Sequence, residues 1–230
     1  MLCIKYFILL NMILPTLDLE YKYWNKNLNV LVGVDEAGRG PLAGPVVAGA
    51  VVVFPERIKR VKTREHWQLI RDSKTLSAKQ REKAYSFIAE NFSFGAGWCG
   101  EKTIDRINIM QATFLAMKKA LSDLKRKIKS DPSLILLDGK AFLPNISLKQ
   151  KPIMNGDRTV FSISAASIVA KVTRDRMMLD YHRKFPQYGF DRHKGYGTKL
   201  HFEMLKKFGP CGIHRKTFVK PKTKDQKPKI

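Results

Sequence analysis

The sequence predicts an α/β fold on three observations. Short β-branched apolar runs recur at residues 28–34 (LNVLVGV), 45–54 (PVVAGAVVVF) and 134–137 (LILL). Between them lie segments whose apolar residues step by three and four, the helical period. Strands separated by long helices favour a sheet flanked by helices over a sandwich or a bundle. The chain's 230 residues suit one large domain with small appendages, and 44% hydrophobic with 27% charged residues excludes wholesale disorder.

Residues 28–34 form a short apolar strand that ends at Asp35-Glu36, ahead of Gly38, Gly40 and Pro41. Residues 45–54 read as a second, buried strand. Residues 57–64 (RIKRVKTR) carry five basic residues and read as a solvated loop. Ser77 and Gln80 have capping-box spacing and open a helix with Ala84, Ile88 and Phe92 on one face. Residues 94–100 look like a strand edge or a loop. Ile107, Met110, Phe114, Met117, Leu121, Leu124 and Ile128 then mark one long amphipathic helix, its methionines in the core. The run 134–137 is a compact strand ending on Asp138-Gly139. A further helix covers about residues 165–181, with Ile168, Val169, Val172 and Leu179 inward.

The ends read differently. Residues 1–14 are apolar, but Lys5 and Asn11 interrupt them and Pro15 follows. The run is too short to span a bilayer and lacks the features of a secretory signal. Residues 1–27 are therefore taken as an extension that packs on the surface, or that a start at Met12 would shorten. Residues 28–219 are read as the main folded domain, and 220–230, with five lysines and one aspartate, as a disordered basic tail. The protein is expected to be a cytoplasmic monomer with no membrane partner.

Charge narrows the function. Lys and Arg number 43 against 20 Asp and Glu, a formal +23. Such an excess disfavours cationic ligands and favours a polyanion, nucleic acid first and an anionic membrane second. Cys3, Cys99 and Cys211 are odd in number, far apart and without a CxxC pair. That argues against a disulfide framework or structural zinc and fits a reducing compartment.

Two apolar strands end in acid, at Asp35-Glu36 and at Asp138, and Asp157 follows Asn155-Gly156 ahead of a helix. A carboxylate at a buried strand end is costly unless paired, hydrogen-bonded or bound to a cation. Converging carboxylates in a basic protein suggest an oxygen-liganded divalent ion, Mg2+ or Mn2+. Taken singly, Asp157 reads as a turn residue and Asp138 as either, whereas the adjacent pair Asp35-Glu36 serves no structural purpose. Neighbours on a strand face opposite ways, so both members serve one site only if the strand ends or bulges there. Gly38, Gly40 and Ala43 fit the G-x-G-x-x-A dinucleotide pattern weakly, since Pro41 interrupts it and a strand follows. Ser73 and Lys74 offer a phosphate contact, with a solvated loop as the commoner meaning. Tyr196, between glycines, suits a stacking platform for a sugar or base. The five histidines lack metal spacing and read as surface or network residues.

The segments VGVDEAGRGPLAGPVVAGAVV, DSKTLS, LLDG, NGD with SAASIVAKVTRDR, and HKGYGTKLH occur in this order. Together they resemble bacterial ribonuclease HII, the type 2 RNase H family, over about residues 28–220. The resemblance implies an RNase H-like fold: a central five-stranded mixed sheet flanked by helices, then a small helical C-terminal part. It implies endonucleolytic cleavage of RNA in RNA–DNA hybrids and incision at single ribonucleotides in duplex DNA. By position it assigns metal-binding acids to Asp35, Glu36, Asp138 and Asp157, with Mn2+ or Mg2+ as cofactor. Ribonucleotide contacts fall on Gly38, Arg39 and Gly40, and junction stacking on Tyr196. A lysine is frequent in the family where this chain has Asn155. Two rivals from other classes are a non-catalytic nucleic-acid-binding protein and a dinucleotide-dependent oxidoreductase.

Overall fold

The computed structural model describes residues 14–60 and 67–219. The apolar start through residue 13, residues 61–66 and the lysine tail from 220 lie outside the described residues. The readings placed on them, including Cys3 and the tail, lie there too.

Five strands form one mixed sheet in the order β3-β2-β1-β4-β5. They are β1 (Leu31–Ala37), β2 (Val46–Val53), β3 (Ser93–Cys99), β4 (Leu134–Asp138) and β5 (Gln150–Ile153). β1, β2 and β3 meander antiparallel, while β4 lies parallel to β1 and β5 parallel to β4. Every residue of β2 is buried, because helices cover both faces of the sheet. β5 was not legible: QKPI lacks the β-branched run that marks a strand.

Before and between the strands come α1 (Asp18–Trp24), α2 (Pro55–Arg60), α3 (Ala78–Asn91) and α4 (Glu101–Ile128). After β5 follow α5 (Gly156–Thr159), α6 (Phe161–Lys184), α7 (Phe190–His193), α8 (Lys199–Phe208) and α9 (Lys216–Val219). Both halves of the Ser77–Gln80 capping box are present at the start of α3. The solvated-loop reading of 57–64 is corrected in part, since residues 55–60 are helical with Ile58 buried. Residues 16–24, assigned from sequence to the extension, pack on the core. Leu17 and Trp24 are buried, and the Glu20 carboxylate accepts a 2.9 Å hydrogen bond from the Ser162 N–H at the start of α6.

α6 lies against one face of the sheet and α4 against the other. The first core joins Leu31, Val51, Leu134 and Leu136 to Ile163, Ala166 and Val169 of α6. The second joins Val32, Val34, Ala50, Ile135 and Leu137 to Ala116, Ala120 and Leu124 of α4. α6 comes unusually close: a Cβ on Gly33 would lie 2.2 Å from the carbonyl carbon of Ser162. Two side chains read as inward are exposed. Asn108, at φ 65°, breaks α4 near its start, and Met110, two residues beyond the break, is 47% exposed. On α6 the buried stripe ends in Met178, leaving Leu179 at the surface. α7, α8 and a short 3-10 turn make the small C-terminal part, around Ala43, Met178, Tyr188, Phe190 and Ile213, while α9 returns to α4 through Phe218. Among the described residues no helix is long and apolar enough to cross a membrane.

Candidate active site

Strand pairing sets the site. β1 and β4 run parallel with Val34 beside Leu137, so Asp35 and Asp138, one position further along each, stand side by side. They share the parity of Leu31 and Leu134, and both face the α6 side. Asp157 enters on α5, and its N–H donates to Asp138 Oδ1 at 3.3 Å. Each of the three offers a carboxylate oxygen, and these oxygens lie within 4.8 Å of one another.

β1 does not stop at the acidic pair. Its ladder with β2 continues to Ala37 opposite Val47, correcting the expectation that the strand ends at Asp35-Glu36. The antiparallel neighbour supplies the hydrogen bonds that β4 no longer can. Glu36 therefore has the parity of Val32 and Val34, lies outside the three-oxygen set, and pairs with Arg39 at 3.3 Å. With Asp138, Arg39 and Met110 it lines a cavity of about 70 Å³ on the α4 side.

The electrostatics are strained. Burial, then the charges of Glu36 and Asp138, hold the Asp35 carboxyl well above the usual carboxylate range. Burial and Asp157 raise Asp138. Burial also raises Glu36, against the pull of Arg39. Lys74 Nζ donates to Asp157 Oδ2 at 3.1 Å, and that partner outweighs partial desolvation and raises the lysine's pKa. Four carboxylates thus meet two cationic side chains, and hard oxygen donors with surplus negative charge fit a divalent cation of Mg/Mn type.

Ser73 departs from its reading as a phosphate contact. It is 3% exposed, and its hydroxyl lies 2.9 Å from that of Ser167, which in turn hydrogen-bonds Asp35. Arg81 donates to the Ser73 carbonyl at 3.0 Å. Lys74 stays exposed beside the cluster. Gly38, at φ +95°, turns the chain out of β1, leaving Arg39 and Gly40 exposed. The loop leads into β2 rather than a helix, so the dinucleotide reading loses its helix N-terminus. Tyr196 is 43% exposed, its ring 5.7 Å from the Arg174 guanidinium.

A family model described as Ribonuclease HII matches residues 32–223. The chain belongs to the ribonuclease HII family. It is 47% identical over 204 residues to Ribonuclease HII of Caldicellulosiruptor bescii, covering 88% of this chain and 93% of that one. To Ribonuclease HII of Ruminiclostridium cellulolyticum it is 52% identical over 205 residues, covering 89% and 75%. The crystal structure of the ribonuclease H2 from Pyrococcus horikoshii OT3 is similar at a TM-score of 0.65 and 28% identity, covering 82% and 93%. Membership of the ribonuclease HII family makes the chain an endonuclease of the ribonuclease H type.

Sequence reading missed two further residues, beside the glycine loop. Arg174 and Arg215 are both fully buried. Arg174 falls on the stripe Ala170, Arg174, Met178, where a charge among buried neighbours was a readable signal. Arg215 gave none, since His-Arg-Lys looks like surface. The histidines do form a network: buried His201 and His214 meet at 3.0 Å, and His201 bonds the Tyr196 carbonyl at 2.9 Å. Burial holds His201 down at about 4, so it is neutral.

Proposed function

We propose that the chain hydrolyses the RNA strand of RNA–DNA hybrids and incises duplex DNA at single ribonucleotides, as a cytoplasmic monomer using two divalent ions. The observation that carries this reading is the three-aspartate cluster in a chain of charge +23. Asp35, Asp138 and Asp157 would hold the ions, with Glu36 completing their surroundings from the other side of β1. When bound, Mg2+ or Mn2+ supplies Lewis acidity for the attacking water and the departing 3′ oxygen. The scissile P–O3′ bond breaks, leaving a 3′-hydroxyl and a 5′-phosphate.

The chain's own groups select and place the substrate. Lys74 braces Asp157 and presents positive charge to a phosphate. The exposed backbone of Gly38, Arg39 and Gly40 supports a contact to the 2′-hydroxyl, the group that separates RNA from DNA. Tyr196 offers its open ring face to the RNA–DNA junction, and the surplus lysines and arginines track the duplex backbone. The test is incubation with a DNA duplex carrying one ribonucleotide, with and without Mg2+ or Mn2+. Metal-dependent incision at the ribonucleotide supports the reading. Binding without any metal-dependent product would leave a non-catalytic nucleic-acid-binding protein.

Replacing Tyr196 with Ala should remove a stacking contact worth ~1–3 kcal/mol. Incision beside a single ribonucleotide should fall more than cleavage within long hybrids, which offer many registers. Equal losses on both substrates would assign Tyr196 to general binding instead.

A further inference from the structure

The two buried arginines point to how the glycine loop is aimed, an inference that rests on the functional reading above. Neither donates to a carboxylate: among the described residues their hydrogen bonds all end on backbone carbonyls. Among the described residues neither forms an ion pair, so backbone carbonyls carry the hydrogen bonding of these buried guanidinium groups. Arg215 spreads its fork over three, with Nε to Gly44 O at 2.9 Å, Nη1 to Arg39 O at 2.9 Å and Nη2 to Gly38 O at 2.6 Å. Arg174 holds Pro45 O and Ala43 O at 2.9 and 3.2 Å. Its side chain also fills the space beside Gly38, where a Cβ would lie 2.1 Å from Nε.

Peptide geometry turns this into a statement about donors. Among the described residues no peptide bond is cis, and in a trans peptide the N–H points opposite to the C=O. With the Gly38 and Arg39 carbonyls drawn inward onto Arg215, the N–H groups of Arg39 and Gly40 face outward. Both residues are exposed, and neither N–H has an acceptor among the described residues. Consecutive outward N–H groups form a cradle for a phosphate or hydroxyl oxygen. This one opens immediately beyond the strand that carries Asp35.

We propose that Arg215 is a positioning residue that presents the Arg39 and Gly40 N–H groups to the sugar–phosphate of the substrate and so sets the preference for ribose over deoxyribose. Lysine cannot replace it, because three donors on one nitrogen do not reproduce a planar fork over three carbonyls.

The experiment measures binding in a cleavage-blocked Asp138→Asn background. The probes are a DNA duplex with one ribonucleotide and the same duplex in all-DNA form. Arg215→Lys should cut the preference for the ribonucleotide about tenfold, the worth of one hydrogen bond. Affinity for the all-DNA duplex, which reports only backbone tracking, should hold. A folded Arg215→Lys protein with its preference intact overturns the positioning role alone. A parent protein with no preference overturns the functional reading and this inference with it. Should Arg215→Lys fail to fold, Gly40→Pro deletes one of the two donors where a Cβ meets nothing within 4 Å. Its preference must then fall similarly, and an unchanged preference again overturns the proposal.

Discussion

Replacing Asp35 or Asp138 by Asn is expected to lower turnover by more than about a hundredfold. Loss of groups that merely orient a metal's ligands costs ~10–100-fold in affinity or activity, and a direct ligand should exceed that. An amide keeps the shape but brings no charge to a hard cation. A second readout is independent of activity. In EDTA the thermal midpoint of Asp35→Asn should equal or exceed that of the parent, because Asp35 is buried against the charges of Glu36 and Asp138. Added Mg2+ or Mn2+ should then stabilise the parent and not the variant. Near wild-type cleavage at saturating Mg2+, or undiminished stabilisation by the ion, would remove Asp35 from the metal set.

Gly33→Ala should be among the most damaging single-carbon additions in the core. The new methyl would sit 2.2 Å from the Ser162 carbonyl carbon and 2.4 Å from the Ile163 nitrogen, both backbone atoms that no side-chain rotation can move. The helix must retreat, a cost of about 3 kcal/mol at the upper end for overpacking. For a domain of this size that is a fall of roughly 6–12 °C in the thermal midpoint. Five residues along α6 from Ser162 sits Ser167, whose hydroxyl holds Asp35. Hence the surviving folded protein should also bind Mg2+ or Mn2+ more weakly. A midpoint within a degree or so of wild type would show that α6 can shift freely.

Much of this was legible because patterning and packing agree. Buried strands stand out as β-branched runs, and beyond the break at Asn108 α4 follows the spacing of its leucines and methionines. Asp35 and Asp138 were readable as acids beside apolar runs, since burial makes a carboxylate conspicuous. What failed depended on partners distant in the chain. Nothing local says that β2 extends the β1 ladder past Glu36, that Ser73 turns toward Ser167, or that Arg215 lies in the interior. β5 was invisible because neighbouring β4, rather than its own residues, makes it a strand.

The distance in sequence between Arg215 and the carbonyls it holds has a consequence for synthesis. The carboxylates at 35, 138 and 157 come from three separated segments, and the loop at 38–44 is fastened by a residue more than a hundred and seventy positions later. Such long-range closures are slow and are rewarded only when the whole sheet and its helices are in place. A nascent chain emerging from the ribosome therefore carries the acids long before it carries the clamp. Until residue 215 is free to fold back, the growing polypeptide holds the parts of a nuclease without its aimed loop. The loop at 38–44 therefore takes its fastened form only after residue 215 has been synthesised.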